Sequence, residues 1–260
     1  MAKLCTLFSS SSGNSTYIGT ERGGILIDAG VSARALENQM LAAGLDIAGV
    51  AAIFITHEHS DHIKGVSVLA NRYSIPVYAT AGTLEAMAEK GQLGRARHDA
   101  LTGGIELAGL QIECFATLHD ARQSCGYKIT LPDGRRIAVC TDLGRLTDEV
   151  KSALSGCELV MIESNHDLGM LQNGPYPYYL KRRVMGDSGH LSNNVCGDFL
   201  PELLRLGTTR FVLAHLSREN NFPQLAAATS RACLEMAGAQ NGIDFTLAVA
   251  ASAAATTVVI

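Results

Sequence analysis

A chain of 260 residues is long for one domain and short for two, and its 47% hydrophobic residues suffice for a large core. A net charge of −4 excludes broad nonspecific binding to nucleic acid, although a locally basic groove could still take nucleic acid as a substrate. The seven scattered cysteines, with no Cys-x-x-Cys pair, fit thiols in a reducing cytosol rather than a disulfide framework.

The N-terminal residues carry no long apolar run, and no stretch approaches the roughly 18 apolar residues of a membrane span. A cytoplasmic protein without membrane contact is expected. Neither an internal repeat nor a linker divides the chain, so one domain is expected over 1–260.

In chain order, short apolar runs end in polar residues. Residues 24–27 end at Asp28, 51–55 at Thr56-His57, 136–140 at Thr141-Asp142, 159–162 at Glu163, and 210–214 at His215. Such runs suit strands buried on both faces, with functional residues just past their ends. Helical spacing marks 32–43, stopped by Gly44, and then 83–89, 146–154, 194–206 and 224–237. Pro132-Asp133-Gly134 reads as a hairpin turn between 127–131 and 136–140. The apolar run 245–260 reads as a terminal strand or a poorly ordered tail. The mixture favours a layered α/β domain.

The densest chemistry is Thr56-His57-Glu58-His59-Ser60-Asp61-His62. On extended chain, His57 and His59 point to the same side. Asp61 and His62 follow where the chain can turn into a helix. Four potential ligands within six residues exceed what one ion can readily take, so two adjacent ions are expected. Imidazole and carboxylate suit zinc, manganese or iron. Taken alone, His119, Asp142 and His215 are weak signals, because a lone histidine after an apolar run is more often a satisfied structural residue.

The H-x-H-x-D-H motif resembles the signature of the metallo-β-lactamase superfamily. Asp28, His119, Asp142 and His215 follow that family's pattern in order, over nearly the whole chain. The resemblance implies an αββα sandwich with metals at one edge of the sheets. It implies that His57, His59 and His119 hold one divalent ion. Asp61, His62 and His215 would hold the second, and Asp142 would bridge both. Asp28 would orient the metal loop without ligating. Ser10 to Tyr17, Glu163 to Asp167, Gly189 to Asn193 and His215 to Asn221 are similar to the YycJ/WalJ-like group, which implies a DNA exonuclease. The 73 residues from Asp142 to His215 leave no room for a large inserted nuclease domain.

Asp61 and His190 are the candidate catalytic residues. Gly189-His190-Leu191-Ser192 resembles the extra histidine of phosphodiesterase branches, apt for protonating a leaving oxygen near neutral pH. The bland alternative is a surface histidine in a Gly/Ser/Asn loop. Lys181, Arg182 and Arg183 are expected to take phosphates, while Tyr176, Tyr178 and Tyr179 are expected to pack inward at a helix start. Asn14, Ser192, Asn193, Arg218, Asn220 and Asn221 are further candidate substrate contacts. His166 suits a local hydrogen bond as well as catalysis, and His98 reads as plain surface.

The reading is a dinuclear-metal-dependent phosphodiesterase acting on nucleic acid, single-stranded DNA from an end, through a metal-activated water. A homodimer is compatible with it. The competing reading is a small-molecule hydrolase for a thioester, lactone or cyclic phosphate. A metal-binding regulator without turnover is a third, disfavoured because a structural site has no need of two open ions.

Overall fold

A computed structural model describes residues 2–260. The first half contains β1 (Lys3–Ser10), β2 (Gly13–Thr20), β3 (Gly23–Ile27), α1 (Ala33–Ala42), β4 (Val50–Phe54), α2 (Ser60–Ile63), α3 (Val66–Tyr73), β5 (Val77–Ala79), α4 (Ala81–Glu89) and β6 (His98–Ala100). The second half contains β7 (Ile105–Leu107), β8 (Leu110–Ala116), β9 (Cys125–Thr130), β10 (Arg136–Cys140), α5 (Asp148–Leu154), β11 (Leu159–Glu163), α6 (Leu168–Asn173), α7 (Tyr178–Met185) and α8 (Asn193–Arg205). β12 (Arg210–Ala214), α9 (Pro223–Met236), β13 (Thr246–Val249) and β14 (Thr256–Val259) complete the chain.

The strands form two seven-stranded sheets, ordered β14-β1-β2-β3-β4-β5-β6 and β13-β12-β11-β10-β9-β8-β7. In each, antiparallel hairpins give way to parallel strands, at β3–β4 and at β10–β11. Parallel neighbours need helical crossovers, and those helices cover the outer faces.

The period of two along each strand divides the core into layers. Ile25 and Ile27 point between the sheets, where they meet residues such as Tyr127, Ile137, Val139 and Met161. Leu26, between them in sequence, points outward and packs with Leu36, Met40 and Leu69 of the helices. On the other sheet Val160 and Ile162 face outward onto Leu154, Leu200 and Leu234. The result is a four-layer αββα sandwich of the α/β class.

Local signals fix the element ends. The hydroxyl of Ser32 accepts from the Ala35 N–H to cap α1, and Gly44 follows its end at φ +67. The hairpin at 132–134 joins β9 to β10 as expected. The 245–260 run resolves into two strands: β13 extends the second sheet beside β12, and β14 returns to pair with β1. Among the described residues no helix is long and apolar enough to cross a membrane. All seven cysteines are unpaired.

Candidate metal centre

Three site residues sit at the C-terminal ends of strands in the left-handed region: Asp28 after β3 (φ 61), Asp142 after β10 (φ 59) and His215 after β12 (φ 56). This turn carries each side chain off its strand toward a common point. Left-handed backbone is rare for non-glycine residues and gathers at functional sites.

Asp28 organises the loop after β4. Its carboxylate accepts from the Thr56 N–H and the Thr56 hydroxyl, each at 2.8 Å, and from His62 Nδ1 at 2.7 Å. The chain is pinned close here: a Cβ at Gly30 would collide with the Asp61 carbonyl, and the Gly30 N–H donates to the Asn14 carbonyl at 2.8 Å.

The histidines converge in sets with the acids. His57, His59 and His119 bring ligand atoms within 4.8 Å of one another. Asp61, His62 and His215 form a second such set, and Asp142 groups with His57 and His62. Asp142 Oδ2 lies 3.3 Å from His62 Nε2, and its Oδ1 lies 3.8 Å from His119 Nε2.

Hydrogen bonds at the far ring nitrogens orient the rings. His62 Nδ1 meets Asp28, His215 Nδ1 meets Glu163 Oε1 at 2.7 Å, and His119 Nδ1 meets the Gly189 carbonyl at 3.2 Å. Each leaves Nε2 for the centre. His59 is reversed: its Nε2 faces the Asp120 carbonyl at 3.2 Å, which leaves Nδ1. An acceptor on one ring nitrogen assigns the proton there and the lone pair to the other.

Burial opposes charge on His62, but the Asp142 and Asp28 carboxylates hold its pKa well above the ordinary imidazole value. Burial likewise opposes charge on His215, and Asp142, Asp61 and Glu163 override it, raising the pKa to about 10. The Asp61 carboxyl, pushed up by burial, is drawn well below the usual range by His215 and His62. His57 goes the other way, pushed down by burial and then by His62 and His119. The carboxylates thus demand positive charge at this point.

The donor set fits divalent cations on a further count. His57 Nε2, Asp142 Oδ2 and His215 Nε2 are buried and make no hydrogen bond. An unpaired buried polar atom costs about 1–3 kcal/mol unless something satisfies it, and a cation would satisfy all three.

One residue escaped the sequence reading in its role. Glu163, fully buried at the end of β11, accepts from His190 Nδ1 at 2.9 Å as well as from His215. Its other oxygen accepts from the Leu191 N–H at 2.8 Å. Its place after an apolar run and in the Glu163 to Asp167 stretch that resembles the exonuclease group were its signals in the sequence, and neither pointed to this role. His190 is therefore not a free surface histidine: 15% of its side chain is exposed, and it stands beside Asp142.

The candidate substrate residues divide. Asn193 and Asn221 exchange amide hydrogen bonds at 3.0 and 2.9 Å, and the Ser164 hydroxyl donates to Asn193. Ser192 caps α8 through the Val195 N–H. Asn220 is 1% exposed, with its N–H and amide turned to Ser217. These contacts brace loops beneath the site, and Asn220 Oδ1 is buried without a hydrogen-bond partner. Asn14 is also buried, and its amide reaches His62 Nε2 at 3.1 Å.

Arg218, Arg182 and Arg183 are exposed. Arg183 Nε donates to Asp120 Oδ2 at 2.5 Å, and Asp120 Oδ1 lies 3.3 Å from His119. Helix α7 is thereby tied to the histidine cluster. The expectation that its tyrosines pack inward fails for Tyr178 and Tyr179, which are 75% and 73% exposed. A short helix anchored by Val184 buries one face only. His166 is buried with Nδ1 unpartnered, so it makes no side-chain bond there. His98 is exposed, as expected.

Residues 24–216 match the β-lactamase superfamily domain, and the chain belongs to that superfamily. It is 38% identical over 237 residues to a Bacillus anthracis protein named exodeoxyribonuclease YycJ, covering 89% of each chain. It is 36% identical over 248 residues to exodeoxyribonuclease WalJ of Streptococcus pneumoniae, covering 94% of this chain and 92% of that one. The metallo-β-lactamase fold protein YhfI of Bacillus subtilis superposes with a TM-score of 0.74 at 13% identity, over 98% of both chains.

Proposed function

We propose that this protein is a metal-dependent exodeoxyribonuclease that hydrolyses single-stranded DNA from an end. The observation that carries the reading is His190, held by Glu163 at the meeting point of both ligand sets. A group poised to protonate a leaving oxygen is what a phosphodiester needs and an activated ester does not. Relatives of 36–38% identity that bear the name exodeoxyribonuclease support it.

His57, His59 and His119 would hold one cation, and Asp61, His62 and His215 the other, with Asp142 between them. Two such cations, when bound, polarise a phosphoryl oxygen and lower the pKa of water toward neutrality. Asp61, whose side chain is 22% exposed where Asp142 is 3%, orients the incoming water. The water loses one proton to solvent and its oxygen joins phosphorus, the bond to the bridging oxygen breaks, and His190 gives that oxygen its proton. Glu163 keeps the imidazole aimed and offsets its charge. Arg182, Arg183, Lys181 and Arg218 meet phosphates along the strand, and the exposed Tyr178 and Tyr179 stack on bases.

End-labelled linear single-stranded DNA and RNA, incubated with protein reconstituted in turn with zinc, manganese and iron, test the proposal. Stepwise shortening of DNA is expected with at least one metal. Turnover of thioesters or lactones, with no digestion of either nucleic acid, would overturn it.

A further inference from the structure

On the Asp61 side of the metal cluster opens a cavity of about 520 Å³, walled by Ser11, Ser12, Ser60, Ser67, Lys64 and Gln92. Single small-molecule sites occupy about 300–1,000 Å³, so its size is that of one ligand. Its lining sets polar groups beside the apolar side chain of Ile63. Four hydroxyls, one amide and one ammonium line it, and its carboxylate, Asp61, is already engaged with His62 at 3.5 Å and His215 at 3.8 Å. Hydroxyls and an ammonium together suit a phosphate and a sugar.

The walls are fixed. Asn14 bridges the turn that presents Ser11 and Ser12, accepting from the Ser10 N–H at 3.1 Å and donating to the Ser10 carbonyl at 3.0 Å. Gly65 donates to the Ala29 carbonyl at 2.8 Å and holds the start of α3, which carries Ser67.

The cavity lies at the Asp61–His62–His215 set. Helix α7, through Arg183 and Asp120, lies at the His57–His59–His119 set. A strand laid on α7 with a phosphate over the centre would place its next nucleotide in the cavity. We propose that this cavity binds the terminal nucleotide of the substrate strand and so restricts hydrolysis to ends. The inference rests on the nuclease reading above and adds the group that distinguishes an exonuclease from an endonuclease.

The test is calorimetric titration of thymidine 5′-monophosphate, thymidine 3′-monophosphate and thymidine into the metal-loaded and chelator-stripped protein. One monophosphate is expected to bind at one per chain in both states. Ser67→Leu, which fills the cavity, should abolish that binding. Lys64→Ala, at an exposed position that does not endanger folding, should weaken it by about tenfold, the loss of one charge-assisted hydrogen bond. Both variants should raise KM for linear oligonucleotides and keep wild-type turnover of a nitrophenyl phosphodiester. Equal nucleotide affinity in wild type and both variants would overturn the proposal, as would equal cleavage of circular and linear single strands by the wild type. Variant-sensitive nucleotide binding without DNA cleavage would leave the cavity standing and remove the nuclease reading. End-specific digestion with unaltered nucleotide binding in the variants would do the reverse.

Discussion

Asp28 touches no position where a substrate could sit, yet it holds both His62 and Thr56. Its effect must therefore pass through the ligands. Asn tolerates left-handed backbone and preserves the shape of Asp, so Asp28→Asn should fold normally while losing about 10–100-fold in metal affinity. Competition with a chromogenic chelator measures this, and unchanged affinity would show that the Asp28–His62 bond does not tune the site. At His190 the expected separation is between substrates. His190→Ala should slow DNA hydrolysis by about 10²–10⁴-fold, because an alkoxide leaves poorly without an acid. A nitrophenyl phosphodiester, with its good leaving group, should be nearly unaffected, and metal content should not change. Equal losses on both substrates would assign His190 to binding instead of proton transfer. His166 offers a stability test independent of turnover. Burial lowers its pKa to about 4, below the unfolded value of about 6.5. The folded state then binds fewer protons than the unfolded one. Its contribution is complete above pH 6.5 and is lost as pH falls toward 4, by about 3 kcal/mol in all. Urea midpoints of metal-free wild type and His166→Phe, compared from pH 7 to 4, should converge as the pH falls; parallel curves would count against a neutral buried imidazole.

At the scale of elements, α7 exposes two tyrosines and carries Arg182 6.0 Å from the Tyr178 ring. If the helix lies along a strand, Lys181→Gln with Arg182→Gln should weaken oligonucleotide binding and flatten its salt dependence. Each lost phosphate contact should reduce the slope of log K against log salt by about 0.7. Fluorescence anisotropy of a labelled oligonucleotide between low and moderate salt reads this, and an unchanged slope would place the strand elsewhere. The sequence exposed some elements far better than others, for physical reasons. Strands buried on both faces are continuous apolar runs, so β3, β4, β10, β11 and β12 were legible. His57, His59, Asp61 and His62 were legible because they share one segment. The orientation of Tyr178 and Tyr179 was not, because apolar periodicity over so short a helix does not say which face the rest of the chain leaves bare. Glu163 looked like an ordinary strand terminus. Its work depends on His190 and His215, which lie 27 and 52 residues away, and such meetings are set by the sheets. Ser192, Asn193 and Asn220 show the converse: polar residues near a ligand in sequence also brace its loop, which sequence alone does not reveal.

At the scale of the molecule, the two seven-stranded sheets repeat one plan and share one core. The inner face of each is the other's core: Ile18, Ile25 and Phe54 of the first sheet pack with Tyr127, Ile129 and Val139 of the second. The chain also crosses between halves at its end, since β13 closes the second sheet and β14 the first, with Ile260 buried in the shared core. The histidine and aspartate cluster draws on both, taking His57 to His62 from beyond β4 and Asp142 and His215 from beyond β10 and β12. Separating the halves would expose the intersheet face, whose burial is favourable by about 25 cal/mol per Å² of apolar surface. We therefore propose that residues 1–260 form one cooperative domain. Scanning calorimetry of the metal-free protein should give a single transition with equal calorimetric and van't Hoff enthalpies. At about 0.7 kcal/mol per residue, that enthalpy should approach 180 kcal/mol near 60 °C. Two resolved transitions, or a van't Hoff enthalpy near half the calorimetric one, would mean that each half melts by itself and that the shared core contributes little.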